Sequence, residues 1–239
     1  MPNCKKFLSV LLILFFIGMH GQQATMTPLQ ILKKATEIYS SQEYINYSTT
    51  YNLYLDYKSK KVHDQYTGIV IKENNINYFK IKNTEFIIFK KHSVKVNHDQ
   101  KAMIISDNTK QAQQSPMSLL GYLKGFNYKL INENSETYDV ELIPASKISQ
   151  IMLGKVILSI KKSDFSLAKQ TIYYIENMES KDPSGKIVQS IPRLEIIYVK
   201  RNSSTAQDKL LLNQENYFSE NNNKIVVVGR LSKYKLFKS

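Results

Sequence analysis

The sequence predicts a mainly β protein with helices, of the α+β class, built on a strongly curved antiparallel sheet. Three observations predict this class: a long run of period-two residues from Ile45 to Tyr57, roughly ten further short runs of apolar and polar residues separated by polar turns, and only two segments with helical period. A strand of 13 residues is long, and such strands are commoner in curved sheets or barrels than in flat sandwiches. We therefore expect the sheet to curve.

The opening residues are typical of a secretory signal peptide. Two lysines precede an apolar run from Phe7 to Met19, and a polar stretch follows it. The apolar run is about 13 residues, whereas a membrane-spanning helix needs roughly 20. We expect cleavage after Gly21, which divides the chain into a signal peptide over residues 1–21 and a single exported, soluble domain over residues 22–239 in the periplasm.

The cysteine content narrows the chemistry further. The only cysteine of the sequence is Cys4, which lies inside the signal segment. The mature chain is therefore expected to have no disulfide, no thiolate catalysis and no cysteine-ligated metal. A lipid anchor at the signal boundary also requires a cysteine directly after the apolar core, so no such anchor is expected.

The chain is strongly basic, with a formal net charge of +13 from 33 Lys and Arg against 20 Asp and Glu. Only three of the basic residues are arginines (Arg193, Arg201 and Arg230), and no block of five or six like charges occurs. Nucleic-acid binders depend on arginine for bidentate contacts, so no nucleic-acid partner is expected. The many lysines have two interpretations. They can reflect a general bias of amino-acid composition without a functional role, or they can form a surface that attracts anionic lipid or polysaccharide and contacts the membrane peripherally.

The first element after the signal is an amphipathic helix that begins at Pro28. Thr27 is placed to cap it, Pro28 fits the first helical position, and Gln30 completes a capping box. Apolar residues then recur at three- and four-residue spacing as far as about Ser41: Leu29, Leu32, Ala35, Ile38 and Tyr39. One face of this helix must therefore pack against another element.

The strand Ile45 to Tyr57 follows, and an antiparallel meander comes after it. Asn and Asp supply its turns because they tolerate left-handed backbone conformations. The further strands predicted in this half are Tyr66–Lys72, Ile76–Lys82, Glu85–Lys90, Val94–Asn97 and Ala102–Ser106.

A short apolar helix is predicted in the middle of the chain, after the polar stretch Asp107 to Gln114. Ser115 and Pro116 repeat the cap-and-proline start, and the helix runs from Met117 to Phe126. Gly121 and Gly125 weaken it by roughly 1 kcal/mol each. Its apolar stripe suits a core helix, and its weakness suits a movable lid.

The second half of the chain returns to strands. Its predicted strands are Asn127–Asn132, Tyr138–Ile143, Lys155–Lys161, Lys169–Asn177, Arg193–Arg201, Lys224–Val228 and Leu231–Phe237. These strands and the two principal helices show no repeat period, and no linker marks a domain boundary.

Several segments together resemble a known family. Val94 to Ile105 is similar to a pair of strands in that family. Tyr138 to Pro144 is similar to a strand end of the form Y-x-L-x-L-x-P that recurs in it. Val156 to Ile160 and the turn Ser163 to Phe165 are similar to the strand and the turn that follow. Over residues 27–200 the chain resembles the periplasmic lipoprotein carriers of the LolA/LolB type.

The resemblance implies an unclosed antiparallel half-barrel, covered by the N-terminal and the central helix, with an apolar cavity for acyl chains. Residues of the long strand and of the central helix would line or close this cavity: Tyr47, Tyr51, Leu53, Leu55, Met117, Leu119, Leu120, Leu123 and Phe126. The family's lid depends on an arginine early in the first half. The first arginine of the mature chain is Arg193, so no residue inherits that role.

Catalytic and metal-binding patterns are sparse. His63 and His98 are each followed by Asp, but adjacent residues of an extended chain point to opposite faces, and both pairs fall in predicted turns. No metal site and no cofactor is therefore expected. The sequence contains no G-x-S-x-G and no glycine-rich phosphate loop, so an enzyme is not expected. The two carboxylates of a hydrolase can be far apart in sequence and meet only in the folded protein, so the sequence leaves this possibility open.

Two hypotheses for function remain, and under both the protein is expected to be a monomer. In the first, the protein is a periplasmic binding protein that holds an acyl chain or a lipid-modified protein non-covalently. In the second, it is a non-enzymatic envelope assembly or scaffold protein with a filled core, which binds partner proteins through a sheet edge or its lysine-rich surface. Tyr47 and Tyr51 fit either a packed core or a ligand wall.

Overall fold

A computed structural model describes residues 26–107, 117, 125–145, 153–181, 184–202, 205–222 and 224–238. These residues form helices α1 (Pro28–Ser41) and α2 (Ala206–Leu211) and sixteen strands. The strands are β1 (Tyr44–Tyr54), β2 (Asp64–Glu73), β3 (Ile76–Ile81), β4 (Thr84–Ile88), β5 (His92–Asn97), β6 (Ala102–Asp107), β7 (Phe126–Glu133), β8 (Thr137–Pro144), β9 (Leu153–Lys161), β10 (Leu167–Tyr174), β11 (Met178–Lys181), β12 (Ile187–Ser190), β13 (Arg193–Lys200), β14 (Phe218–Asn221), β15 (Lys224–Val227) and β16 (Lys235–Lys238).

Twelve of these strands form one curved sheet in the order β16, β6, β5, β4, β3, β2, β1, β13, β10, β9, β8, β7. All neighbours are antiparallel except β16 and β6, which are parallel. In the described part of the chain, the two end strands β16 and β7 do not pair with each other, so the sheet is unclosed. The predicted α+β class and the unclosed, antiparallel-dominated sheet are confirmed.

The helix α1 covers one face of this sheet. Its capping box is formed, because the Thr27 side chain accepts a hydrogen bond from the Gln30 N–H while the Gln30 side chain accepts one from the Thr27 N–H. Ile31, Leu32 and Ala35 of α1 pack with side chains of β1 in the first core, whereas Leu29 of the predicted apolar stripe is exposed. The remaining buried side chains of this core come mainly from β2, β8, β9, β10 and β13.

A second core lies on the opposite face of the sheet. Val70 and Ile71 are neighbours on β2, yet Val70 belongs to the first core and Ile71 to the second. Adjacent strand residues point to opposite faces, so the two cores lie on opposite sides. The second core is covered by C-terminal elements that contribute Leu211, Tyr217 and Phe218.

The long first strand ends earlier than predicted. β1 stops at Tyr54, and Leu55 to Tyr57 lie in a bend after it, so Tyr57 does not share a strand face with Tyr47 and Tyr51. The reason is local: the Asp56 carboxylate accepts hydrogen bonds from the N–H groups of Lys58 and Ser59, both at 2.7 Å. Such a turn competes with the strand ladder.

Other boundaries also differ from the prediction. β10 ends at Tyr174 instead of Asn177, and a 3-10 turn from Gly229 to Leu231 precedes the short β16 in place of one long final strand. The sequence patterns did not predict α2, β11, β12 and β14. These elements have four to six residues each, too few to establish a clear period.

The predicted central helix lies mostly outside the described residues, including Leu119, Leu120, Gly121 and Leu123. Its two ends are described and differ from a helix: Met117 lies in a turn, and Phe126 begins β7. Gly125 has a φ of 79°, which is a left-handed and not a helical conformation. The prediction that the helix continues to Phe126 was therefore wrong.

Replacing Thr27 with alanine should lower the free energy of unfolding by about 1 kcal/mol, because the α1 capping box loses its acceptor for the Gln30 N–H. Chemical denaturation of both proteins measures the difference. Thr27→Ser, which keeps the hydroxyl, should be close to wild type. A Thr27→Ala protein as stable as wild type would show that the cap does not contribute to stability.

Candidate functional site

A narrow apolar slot lies between α1 and the sheet. It contains about 310 Å³ of space between side chains, including space open to solvent, of which only about 20 Å³ can hold the centre of a water molecule. The residues that line this α1 slot are Ala35, Ile38, Tyr39, Gln42, Ile45, Tyr47, Met117, Phe165, Ser166 and Leu167. About one water molecule fits the slot as it stands.

Three parts of the chain, together with Met117, build the slot. The last turns of α1 supply Ala35, Ile38 and Tyr39, whose three- and four-residue spacing places them on one helix face. β1 supplies Ile45 and Tyr47, which alternate onto the face beneath the helix. The residues Phe165 to Leu167 form the third wall, where the chain turns from β9 into β10.

Each of the three walls of the slot carries a polar group: Tyr39, Tyr47 and Ser166. Ser166 donates hydrogen bonds from its N–H and its Oγ to Asp164 Oδ1, at 3.0 and 2.7 Å. Burial raises the pKa of Asp164, but the two Ser166 hydrogen bonds and the charges of Lys161 and Lys200 together outweigh it and hold the pKa below its ordinary value. Burial raises the pKa of the Tyr47 phenol. At neutral pH the slot therefore presents a neutral phenol, with the nearby carboxylate already bound by Ser166.

The structure brings some of the predicted cavity residues together. Tyr47 and Met117 line the slot, while Tyr51 and Phe126 are buried in the same core without lining it. Leu53 and Leu55 are half-buried and lie outside that core cluster. The remaining predicted residues, Leu119, Leu120 and Leu123, fall outside the described ranges.

The sequence patterns did not predict the wall formed by Phe165, Ser166 and Leu167. The sequence places Phe165 only in a turn, and it has a φ of 54° there. The turn meets α1 in space although more than a hundred residues separate them, so no local pattern marks it. The wall formed by α1 could be predicted from the sequence, since Ala35, Ile38 and Tyr39 belong to the predicted apolar stripe of the helix.

Arg193 has a structural role in fixing the connection between β1 and β2. Its Nη1 donates to the carbonyl oxygens of Asp56, Tyr57 and Ser59 at 3.0, 3.0 and 2.9 Å, and its guanidinium lies 3.8 Å from the centre of the Tyr54 ring. These contacts hold an irregular segment against β13. The expectation that no arginine takes over the lid role of the family stays untested.

The two histidines of the second core are held by carboxylates. His98 Nε2 lies 2.6 Å from Glu85 Oε1 and its Nδ1 lies 2.8 Å from the Tyr234 hydroxyl, while His92 lies 3.0 Å from Asp107 and 3.3 Å from Glu220. His98 occupies a turn, as predicted. Within the described ranges, no three His, Cys, Asp or Glu side chains are grouped so that they could hold a metal ion.

No helix in the described part of the chain is long and apolar enough to cross a membrane.

Comparisons with known proteins find similarity only at the level of solved structures. No protein-family profile and no curated protein sequence matches the chain. A LolA superfamily protein from Nitrosomonas europaea is 15% identical, with 79% of this chain and 99% of that chain covered and a TM-score of 0.35. An uncharacterized conserved protein from Thermus thermophilus is 11% identical, with 87% and 97% covered and a TM-score of 0.44.

The lipoprotein LppX from Mycobacterium tuberculosis is 10% identical, with 74% of this chain and 97% of that chain covered and a TM-score of 0.39. The Nitrosomonas europaea protein is thus a member of the superfamily that the sequence resembles. At these identities the similarity concerns the fold.

Proposed function

We propose that the protein is an exported, non-enzymatic binding protein of the cell envelope that holds an acyl chain, free or attached to a protein, in the α1 slot. The observation that carries this proposal is the slot itself: its walls are mainly apolar, with a few polar groups among them, such as Gln42 and Ser166. Ligand sites combine an apolar lining with a few polar groups in this way. The family resemblance of the sequence supports the same function.

The slot must widen to take an acyl chain, and its walls permit this. Met117, which is 4% exposed, has a flexible side chain that can change rotamer at low cost. The contacts that hold α1 on the sheet are mainly apolar, through Ile31 and Leu32, and apolar contacts have no directional preference. Small shifts of the helix can therefore separate it from Leu167, provided that they keep the hydrogen bonds from Lys72 to the carbonyl oxygens of Tyr39 and Ser40.

The chemistry of the lining residues supports binding over catalysis. Tyr39 and Tyr47 are phenols, Gln42 is an amide and Ser166 donates its hydroxyl to Asp164. A serine nucleophile is weak by itself and is activated by an adjacent general base, most familiarly histidine. Among the described residues that line the slot there is no histidine, and the remaining side chains are apolar.

One observation favours the second hypothesis, an assembly protein that binds a partner at a sheet edge. β7 is the last strand of the described sheet, and Asn127, Lys129 and Ile131 on it are exposed. An exposed edge strand can pair with an extended segment of another protein. Wild-type protein that binds no acyl probe and purifies with an envelope protein would favour this function over the first.

Replacing Ala35 with leucine should weaken acyl binding at least tenfold, because the larger side chain fills the slot. Fluorescence titration with a fluorescent fatty acid measures the affinity. Leu29→Ala is the matched control, since Leu29 is exposed on the same helix and lies outside the slot. Circular dichroism should confirm that both variants fold, because overpacking costs about 1–3 kcal/mol.

Three results of this titration distinguish the outcomes. Saturable binding by wild type and Leu29→Ala, with weak binding by Ala35→Leu, supports the slot as the site. Equal binding by all three proteins would place the ligand elsewhere. The absence of saturable binding to wild type would contradict the proposed function itself.

A further inference from the structure

Lys72 is a buried cation next to the α1 slot. It lies on β2 directly opposite Ile45 of β1, and only 9% of its surface is exposed. Residues directly opposite each other on paired strands share a face, so the Lys72 side chain lies on the same face as Ile45, which lines the slot. Lysine is almost never buried to this extent without a partner of opposite charge.

The ammonium group of Lys72 contacts neutral groups of α1. Its Nζ donates to the carbonyl oxygens of Tyr39 at 2.9 Å and Ser40 at 3.1 Å, and it lies 5.2 Å from the centre of the Tyr39 ring. These contacts hold it at the C-terminal end of α1. Tyr39 and Gln42, which also line the slot, belong to the same end of the helix.

No carboxylate in the described ranges lies within 4.0 Å of the ammonium nitrogen of Lys72. The ranges hold nearly every candidate, since Asp182 is the only one of the 20 acidic residues outside them. The C-terminal end of a helix offers about half a negative charge, which compensates the cation in part. Burial accordingly lowers the pKa of Lys72 below its ordinary value.

The contacts to α1 leave room for a further acceptor. An ammonium group has three donors, and in the described structure two of them point to the carbonyl oxygens of Tyr39 and Ser40. A role limited to capping α1 accounts for these two bonds. It does not account for a full positive charge kept in a nearly buried position beside an apolar slot, because a neutral donor such as glutamine would also satisfy the carbonyls.

We propose that Lys72 binds the anionic head group of a ligand whose acyl chain occupies the α1 slot. The ligand class is then a single-chain amphiphile with a carboxylate or a phosphate, and uncharged lipids bind less tightly. This inference rests on the proposed function, because it requires the slot to take the chain. The Gln42 side chain lines the same end of the slot and can donate a second hydrogen bond to the head group.

The test compares three ligands with the same chain: dodecanoate, dodecyl phosphate and uncharged monododecanoylglycerol. Their affinities are measured by displacement of a fluorescent fatty acid from wild type, Lys72→Met and Lys72→Gln. Lys72→Gln keeps donors for the α1 carbonyls and removes the charge, so it remains informative if Lys72→Met does not fold. Lys95→Met is the matched control, because Lys95 is exposed on β5 and lies outside the slot.

Wild type and Lys95→Met should bind at least one of the two anionic ligands about tenfold or more tightly than the uncharged one, and Lys72→Met and Lys72→Gln should lose this preference. If the Lys72 variants lose the tighter binding of dodecanoate alone, the head group is a carboxylate. If they lose the tighter binding of dodecyl phosphate alone, the head group is a phosphate. If Lys72 only supports α1, its replacement lowers all three affinities equally, and the inference is overturned. Equal binding of all three ligands by wild type would overturn it as well. If wild type binds none, the proposed function also fails.

Discussion

Replacing Glu85 with alanine should lower the free energy of unfolding by about 3 kcal/mol or more. Glu85 is 1% exposed and accepts two hydrogen bonds from Arg230, at 3.0 and 2.7 Å, while His98 Nε2 lies 2.6 Å from it. Removing one partner of a buried ion pair costs about 3–5 kcal/mol because the other charge stays unpaired. Arg230 is 40% exposed, so water can compensate part of the loss, and we expect the lower end of this range.

Urea denaturation of wild type and Glu85→Ala at pH 7 measures this loss. Glu136→Ala is the matched control: Glu136 is exposed, and its replacement should change stability by less than about 0.5 kcal/mol. Equal stability of the Glu85 and Glu136 variants would contradict the structural role assigned to this ion pair.

The same carboxylate predicts a dependence of stability on pH. Burial raises the pKa of Glu85, but the hydrogen bonds and charges of Arg230 and His98 outweigh it, so the pKa lies below its ordinary value of 4.5. A carboxyl group with a lowered pKa in the folded state contributes stability above pH 4.5, and this contribution is lost as the pH falls through the folded-state pKa. Glu85→Gln should lack this part of the acid sensitivity. Parallel pH profiles of wild type and Glu85→Gln would contradict the assignment.

Replacing Leu167 with alanine should have the second large effect: it should lower the free energy of unfolding by about 2–5 kcal/mol. An acyl ligand should partly restore this stability. Leu167 is 4% exposed, belongs to the first core and lines the α1 slot. Its truncation removes core contacts and enlarges the slot. A ligand at a hundred times its dissociation constant adds about 2.7 kcal/mol to the folded state, so binding in the larger slot should be visible as recovered stability.

Leu158→Ala is the control for this experiment. Leu158 is fully buried in the same core but does not line the slot. Both variants should lose stability in the absence of ligand, whereas added dodecanoate should stabilise Leu167→Ala more than Leu158→Ala. Equal stabilisation of the two variants would show that the acyl chain does not contact Leu167.

Much of the fold could be predicted because its signals are local. The α1 capping box involves Thr27 and Gln30, which are three residues apart, and the structure forms it as predicted. The turn between β2 and β3 needs left-handed residues, and Asn74 and Asn75 supply them with φ values of 50° and 66°. The alternation of apolar and polar residues predicts most strands of the sheet to within a few residues of their observed bounds.

Elements that depend on distant contacts were harder to predict. β16 has four residues and pairs with β6, which lies about 130 residues earlier in the chain. The short helix α2 did carry a local signal, a capping box of Thr205 and Asp208, but its six residues are too few for a clear apolar period. The capping box is therefore a local sequence pattern that marks this helix.

The candidate site divides in the same way. Tyr47 could be predicted because strand alternation fixes its face, and it lines the slot. The slot also needs Leu167, and the second core needs Glu85 and Arg230, which are 145 residues apart. Sequence patterns report which residue types face one side of an element, but they do not report which distant elements meet there.

Intermolecular nuclear Overhauser effects test the central claim most directly. Protein with isotope-labelled methionine and leucine methyl groups is mixed with dodecanoate, and contacts from the chain methylenes to protein methyls are recorded. We predict contacts to Met117 and Leu167, which lie on the walls of the slot. Saturable binding with contacts only to methyl groups outside the slot, such as Leu236 of the second core, would contradict the account.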